Sequence, residues 1–76
     1  MNTNEVLHEF RQGPIKVSIL APHGAKLVIQ FRFEFVRVEE DGSESRSFDW
    51  FSLTALAQAA EAARKWVRDQ ADSGRL

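Results

Sequence analysis

A run of alternating apolar and polar residues at positions 26–38 constrains the fold more than any other feature of this chain. Its large apolar residues fall on every second position and are Leu27, Ile29, Phe31, Phe33 and Phe35. Successive side chains of a β-strand point to opposite faces of the sheet, so this spacing gives one apolar face and one mostly polar face. The run therefore predicts one long antiparallel strand whose apolar side covers a core.

Three more strands and one helix are predicted around this run. We expect a first strand at residues 5–11 and a second strand at residues 15–21. The turns at residues 12–14 and 22–24 each contain a glycine, which accepts positive φ, and a proline, which cannot donate to a strand ladder. A fourth strand then leads into the helix. The predicted fold class is α+β: a four-stranded antiparallel β-meander with one C-terminal α-helix packed on one face (ββββα).

Asp41-Gly42 predicts a tight hairpin between the third and fourth strands. This dipeptide favours a two-residue type I′ turn, which would place Glu40 opposite Ser43. The aromatic pairs in that register are Phe35 with Phe48 and Phe33 with Trp50, and its like-charge pairs are Arg37 with Arg46 and Glu39 with Glu44. Aromatic pairs across strands are stabilising, whereas like charges are not, and a longer loop or a bulge would avoid the like-charge pairs.

The predicted helix has a wider apolar surface than one sheet requires. It begins near Asp49 or Ser52, either of which can cap it, and runs to about Gln70. The stripe expected to lie on the sheet consists of Leu53, Leu56, Ala57, Ala60, Ala63 and Val67. A second apolar edge consists of Ala55, Ala59, Ala62 and Trp66. Together they span about 220° of the helix, so we expect the second edge to form a dimer interface or to pack within the chain.

Size and composition predict a single small domain over residues 1–76, with an ordered core at about 5–70. A chain this short buries only about 60% of the surface that it exposes when unfolded, so we expect a homodimer. The net charge is −1, and there is no cysteine to form a disulfide or a thiolate metal site. The apolar runs are too short to cross a bilayer, and the first residues do not resemble a signal peptide. We therefore expect a cytoplasmic protein with no membrane partner.

Catalytic chemistry has little support in the sequence. The two histidines, His8 and His23, are not part of a recognisable constellation with a nucleophile or an acid. One helix on a four-stranded sheet also leaves little volume for a substrate pocket. Two histidines without cysteine fall short of a zinc pattern. We expect no enzymatic activity, no small-molecule substrate, no cofactor and no metal.

A nucleic-acid surface is the most concrete functional hypothesis. The candidate binding residues are Lys16, Gln30, Arg32, Arg37 and Arg46, which the predicted strands would place on the outer sheet face and at the hairpin end. Basic groups bind phosphates, and nearby aromatic rings stack on bases, which is how single-stranded DNA or RNA is bound without sequence preference. Acidic residues alternate with these cations, so a solvated face of mixed charge is the competing interpretation. The alternative function is a protein–protein interaction module that acts as a homodimer.

Several short motifs in the predicted β-β-β-β-α order resemble a group of small uncharacterised bacterial proteins. The motifs are Gly13, Ile15-Lys16, Asp41-Gly42, Ser47-Phe48, Leu53 and Trp66-Val67, and the likeness covers residues 6–67. The topology also resembles the single-stranded nucleic-acid-binding folds of the positive-cofactor transcriptional coactivators, the whirly proteins and Pur-alpha. That resemblance implies a sheet that carries nucleic acid, with Lys16, Arg32, Arg37 and Arg46 at the matching positions, and helices that join two units.

Overall fold

One antiparallel sheet with an α-helix on one face makes up the computed structural model, which describes residues 4–72. The strands are β1 (Asn4–Gln12), β2 (Ile15–Pro22), β3 (Arg32–Val38) and β4 (Glu44–Ser45), and they lie in the order β1-β2-β3-β4. The helix α1 (Leu53–Asp72) follows them. This arrangement confirms the predicted ββββα fold.

The core lies between β2 and α1. Ile15, Val17 and Ile19 alternate along β2, and all three are fully buried. Ala59 and Ala63 of α1 are buried with them in one apolar cluster, and their small side chains let the helix approach the sheet closely. Burying one valine or isoleucine side chain stabilises a fold by about 1.5–3 kcal/mol, so this short row accounts for much of the core energy.

The helix lies over β1 and β2 rather than over the middle of the sheet. His8 of β1 stacks flat on Trp66 of α1, with ring centroids 4.9 Å apart and an interplanar angle of 4°. A bulge between Val6 and His8 interrupts the β1 ladder and places Val6 opposite Leu20, on the face away from the helix. Because the helix lies over β1 and β2, it covers the helix side of β3 only in part.

The long alternating run is not one strand, so the prediction of a strand from residue 26 is wrong in its first half. A 3-10 turn occupies Val28–Gln30, and β3 begins only at Arg32. The Gln30 side-chain oxygen accepts hydrogen bonds from the backbone amides of Lys26 (3.3 Å) and Leu27 (3.1 Å), which closes the turn. An alternating sequence does not exclude such a turn. Phe31, directly after the turn, is buried in the core, whereas Leu27, directly before it, is exposed.

The β3–β4 hairpin has a three-residue loop, so the predicted two-residue turn is wrong. The Glu39 amide donates to the Ser43 carbonyl at 2.8 Å, and Arg37 lies opposite Ser45. A type I′ turn needs positive φ at both central residues, but among residues 4–72 only glycines have it, here Gly42 at 89°. The shift of one residue removes the predicted like-charge pairs. It also ends β4 at Ser45, so neither Phe48 nor Trp50 pairs with β3.

The start of the helix agrees with the prediction, and its packed face agrees only in part. Asp49 caps a 3-10 turn at Trp50–Ser52, with its carboxylate accepting from the Ser52 amide at 2.8 Å, and α1 continues from there. Ala63 and Val67 of the predicted stripe are buried and Leu56 packs against the core, whereas Leu53, Ala57 and Ala60 are exposed. Ala59, from the second apolar edge, is buried as well. The helix presents a face rotated toward the second apolar edge because it covers β1 and β2 instead of the phenylalanines of β3.

Candidate interaction surfaces

The five predicted nucleic-acid residues do not share one face of the molecule. Lys16 and Arg32 are on the outer sheet face, which we define as the face opposite α1. Arg37 pairs with Ile15 across β2 and β3, so it lies on the helix side. Gln30 belongs to the 3-10 turn, and Arg46 is exposed in the segment after β4. The fold therefore does not bring the five together on one surface.

Two of these cations already have carboxylate partners. The Lys16 ammonium forms an ion pair with Glu44 across the sheet, and the hydrogen bond to that carboxylate raises the pKa of Lys16. Arg37 lies 2.8 Å from a carboxylate oxygen of Glu39, and its Nε donates to the Ser47 carbonyl at 3.1 Å. Their positive charge is thus partly neutralised by neighbours.

Arg32 is held against backbone oxygens. Its Nη1 donates to the carbonyls of Ile29 (3.2 Å) and Phe31 (3.0 Å), immediately before β3. The guanidinium therefore lies at the start of the β3 edge, and the residue remains exposed.

The predicted dimer edge of the helix packs inside the chain. Ala59 is fully buried in the core, and Ala55, Ala62 and Trp66 are half-buried. Trp66 stacks on His8. Ala55 lies beside Gly13, so a side-chain Cβ on residue 13 would be in ordinary contact with the Ala55 Cβ, at 3.8 Å. The exposed apolar side of α1 is instead the one toward β3.

An open apolar groove separates β3 from α1. We call it the β3 groove, and its lining residues are Val28, Phe33, Phe35, Ala60, Ala63, Arg64, Val67, Arg68 and Ala71. It has two adjoining parts of about 370 Å³ and 190 Å³, with Phe33 and Arg64 lining both. Phe33 remains 40% exposed, since none of the elements within residues 4–72 covers it. The groove can accept large apolar side chains.

Two arginines lie at the rim of the β3 groove, and the charge of one of them, Arg64, is partly neutralised by Glu61. Arg64 and Arg68 are four residues apart on α1, so they lie on the same helix face. Both are exposed, and Arg64 Nη1 lies 3.1 Å from a carboxylate oxygen of Glu61. A guanidinium at the edge of an apolar surface binds carboxylates well. Among the described residues that line the groove there is no acid, hydroxyl or imidazole.

Beside the groove, β3 has an open backbone edge. It pairs with β4 only at Arg37 and Val38, so within residues 4–72 no strand lies next to the Arg32–Val36 part of that edge. The Val38 amide points to the β2 side of the strand and donates to the Pro14 carbonyl. The Glu39 amide points to the opposite side, that of β4, and donates to the Ser43 carbonyl. Because backbone groups alternate sides along a strand, the amides of Phe33 and Phe35 point to the open edge. An edge of this kind is a template for another strand.

The outer edge of β1 differs from the β3 edge. The bulge between Val6 and His8 breaks its regular ladder, and bulges are a common protection of sheet edges. On its helix side, Trp66 already covers His8. The apolar groove described above adjoins β3 and not β1. Of the two sheet edges, β3 offers both backbone and side-chain binding.

A separate apolar surface lies at the start of the helix. Trp50 and Phe51 are 80% and 88% exposed, and Leu53 is exposed beside them. Exposed aromatic rings in this number are uncommon on a small monomer and are frequent in protein interfaces.

The remaining site types have no candidate in the described part of the chain. Residues 4–72 contain no group of three or more histidine, aspartate or glutamate residues that could hold a metal ion. None of their helices combines the length and apolar character needed to cross a membrane. Comparisons with protein-family models, curated proteins and solved structures found no match for this chain.

Proposed function

We propose that this chain is a non-enzymatic protein-binding module that takes up an extended strand of its partner on the β3 edge. The observation that carries the proposal is the juxtaposition of unpaired strand amides with the apolar β3 groove. In strand addition, backbone hydrogen bonds supply affinity, and pockets for alternate side chains supply specificity. Both parts lie here on one side of the sheet.

The surface defines the chemistry of the partner strand. Side chains of an added strand alternate between the two faces, so every second residue would enter the β3 groove over Phe33. Those residues are expected to be large and apolar. An acidic residue at the groove rim would meet Arg64 or Arg68, which gives the partner a preference for negative charge.

Nucleic-acid binding has less support as a function. Its candidate residues are on separate surfaces, and the Lys16 and Arg37 charges are paired with carboxylates. The outer face also carries Glu9 and Glu34. Phosphate contacts need a continuous basic surface, which favours the protein-binding proposal.

The experiment uses peptide selection on the immobilised protein. Ten-residue peptides would be selected from a random display library, synthesised and titrated by fluorescence anisotropy. Selected peptides are expected to alternate large apolar residues and to carry an acid. Phe33→Pro is the decisive variant: it removes an amide that points to the open edge, where proline is tolerated. Loss of an edge hydrogen bond and of the ring is expected to weaken binding by about tenfold or more.

Arg11→Pro is the matched control. Arg11 lies on the outer edge of β1, and since the adjacent Gln12 and Ile15 close the β1–β2 turn as a pair, the Arg11 amide points away from β2. This substitution introduces the same ring at the other edge of the sheet and should leave peptide binding unchanged. The proposal fails if no selected peptide distinguishes Phe33→Pro from Arg11→Pro in a folded protein.

A further inference from the structure

We infer that the strand bound at the β3 edge is β3 of a second copy of this chain, joined in a two-fold antiparallel pair. The inference rests on the proposed function and names its partner. Closed two-fold dimers are the commonest protein assemblies, and their interfaces must be self-complementary. The β3 edge meets that condition in its length, its charges and its apolar residues.

The length of the free edge selects one register. Among residues 4–72, nothing pairs as a strand with residues 31–35 on this side, whereas Arg37 is already paired with Ser45. A pair centred on Phe33 places Phe31 opposite the partner's Phe35 and uses only the free residues. A pair centred on Phe35 would require Arg37, so it would displace β4. A pair centred on Glu34 would place two glutamates directly opposite each other, which is unfavourable.

The same register matches charges on the outer face. When Phe33 lies opposite the partner's Phe33, Arg32 lies opposite the partner's Glu34, and the symmetry repeats this pair. Both residues are exposed at the edge, and opposite charges in cross-strand pairs are stabilising. The selected register is therefore the one that creates two attractive pairs and no like-charge pair.

The backbone groups can make the bonds that this register needs. The amide and carbonyl of Phe33 would bond to the partner's Phe33, and the Phe35 amide would donate to the partner's Phe31 carbonyl. That carbonyl now accepts from Arg32 at 3.0 Å, and a carbonyl oxygen can accept two hydrogen bonds. The Phe31 amide already donates to Val28, so the pairing stops there. The result is a short, closed junction between two sheets.

Burial of apolar surface favours β3 over β1 for this junction. The outer edge of β1 also has an acid and a base, Glu9 and Arg11, but its helix side is already covered by Trp66. Pairing at β3 instead brings together two Phe33 rings that are part-exposed in a single chain. The β3 grooves of the two copies would then lie side by side on the helix face.

A charge-reversal experiment tests the register by sedimentation velocity across a concentration series. The parent is expected to be a dimer. Arg32→Glu alone and Glu34→Arg alone each convert both attractive pairs to repulsive ones, and each should weaken dimerisation by about tenfold or more. The double variant Arg32→Glu/Glu34→Arg restores opposite charges and should dimerise like the parent. Mixing the two single variants should give a one-to-one heterodimer, since every pair is then attractive.

The outcomes separate this inference from the proposed function. A parent that stays monomeric while selected peptides still depend on Phe33 overturns the second copy as partner and leaves the strand-binding function in place. A dimer that is unaffected by Phe33→Pro and by both charge reversals also overturns the inference, because its interface lies elsewhere. Failure of the peptide experiment together with a Phe33-dependent dimer would confine strand binding to self-association.

Discussion

Phe33 combines two properties in one residue, a side chain that lines the β3 groove and an amide that points out of the sheet. The alternating sequence indicates which face of a strand the ring takes, and that part of the prediction was useful. The alternating sequence contains no information about where β4 ends, and the end of β4 decides whether the Phe33 amide is paired. The residue could therefore be predicted as apolar and sheet-bound, but not as part of a binding edge.

Asp49 is a residue whose role was predictable from sequence and can be tested by pH. Hydrogen bonds from the Ser52 hydroxyl and amide hold the pKa of Asp49 below its usual value of 3.8. A carboxyl whose folded pKa is lowered contributes stability above its unfolded pKa and loses it as the pH falls through the folded pKa. The melting temperature should therefore drop as the pH is lowered below about 4. In Asp49→Asn this part of the acid dependence should disappear, because the amide oxygen still caps but does not titrate.

Asp41→Asn is the matched comparison for that measurement. The Ser43 hydroxyl and amide likewise hold the pKa of Asp41 down, so this residue contributes to the same acid transition. Each variant should remove a part of the pH dependence, and the two parts should add because the sites share no partner. Identical melting curves of Asp49→Asn and the parent from pH 2 to 7, measured by circular dichroism, would show that the cap is not coupled to protonation.

The helix shows what periodicity can and cannot specify at the level of an element. Its length, its start and its wide apolar arc follow from the sequence. Which part of that arc meets the sheet depends on the lateral position of the helix, and this is set by β2, whose isoleucines and valine are the most buried side chains. The sequence pattern of α1 alone does not include that information.

A pair of alanine substitutions tests the packed face. Ala59 is fully buried against the sheet, so Ala59→Leu forces extra atoms into a filled contact and should destabilise the fold by about 1–3 kcal/mol. Ala57→Leu is the control, since Ala57 is exposed two residues away and a leucine there should change stability by less than about 0.5 kcal/mol. Urea unfolding followed by circular dichroism measures both. The reverse order of effects would support the helix face predicted from the sequence alone.

The molecule as a whole has an uneven distribution of covered and open surface. On the helix face of the sheet, α1 covers the half formed by β1 and β2 and leaves the half at β3 open. The sequence predicted an apolar surplus and a dimer, and of the two alternatives for the second helix edge the structure has the one in which that edge packs within the chain. Dimerisation itself stays a prediction, now attached to the β3 edge.

A dimer of this kind links stability to protein concentration. Because association stabilises only the folded chain, the melting temperature of the parent should rise as its concentration is increased from micromolar to millimolar. The Phe33→Pro protein should show a smaller rise or none, while Arg11→Pro should follow the parent. Differential scanning calorimetry over the concentration series gives the comparison, and a flat curve for the parent would contradict the dimer.

The charge distribution gives a final expectation at this scale. With a net charge of −1 and its cations on different surfaces, the protein should not bind a fluorescent single-stranded oligonucleotide in a saturable way, even at low salt. Binding that weakens steeply with added salt and is reduced by Arg32→Glu would support the nucleic-acid hypothesis instead. Gln12→Ala, which removes a neutral side chain and no charge, serves as the neutral comparison.

The strictly sequential strand order has a consequence for how the chain acquires its structure. Each strand pairs with its neighbour in sequence, and such local pairings form quickly. The element that shields Ile15, Val17 and Ile19 follows all four strands in the sequence and is therefore translated after them, at about 5–20 residues per second. During synthesis the nascent sheet therefore exposes its apolar face until Val67 has left the ribosome. A ribosome that stalls within α1 would hold a sheet whose apolar face is only half covered, and chaperones bind intermediates with exposed apolar surface of this kind.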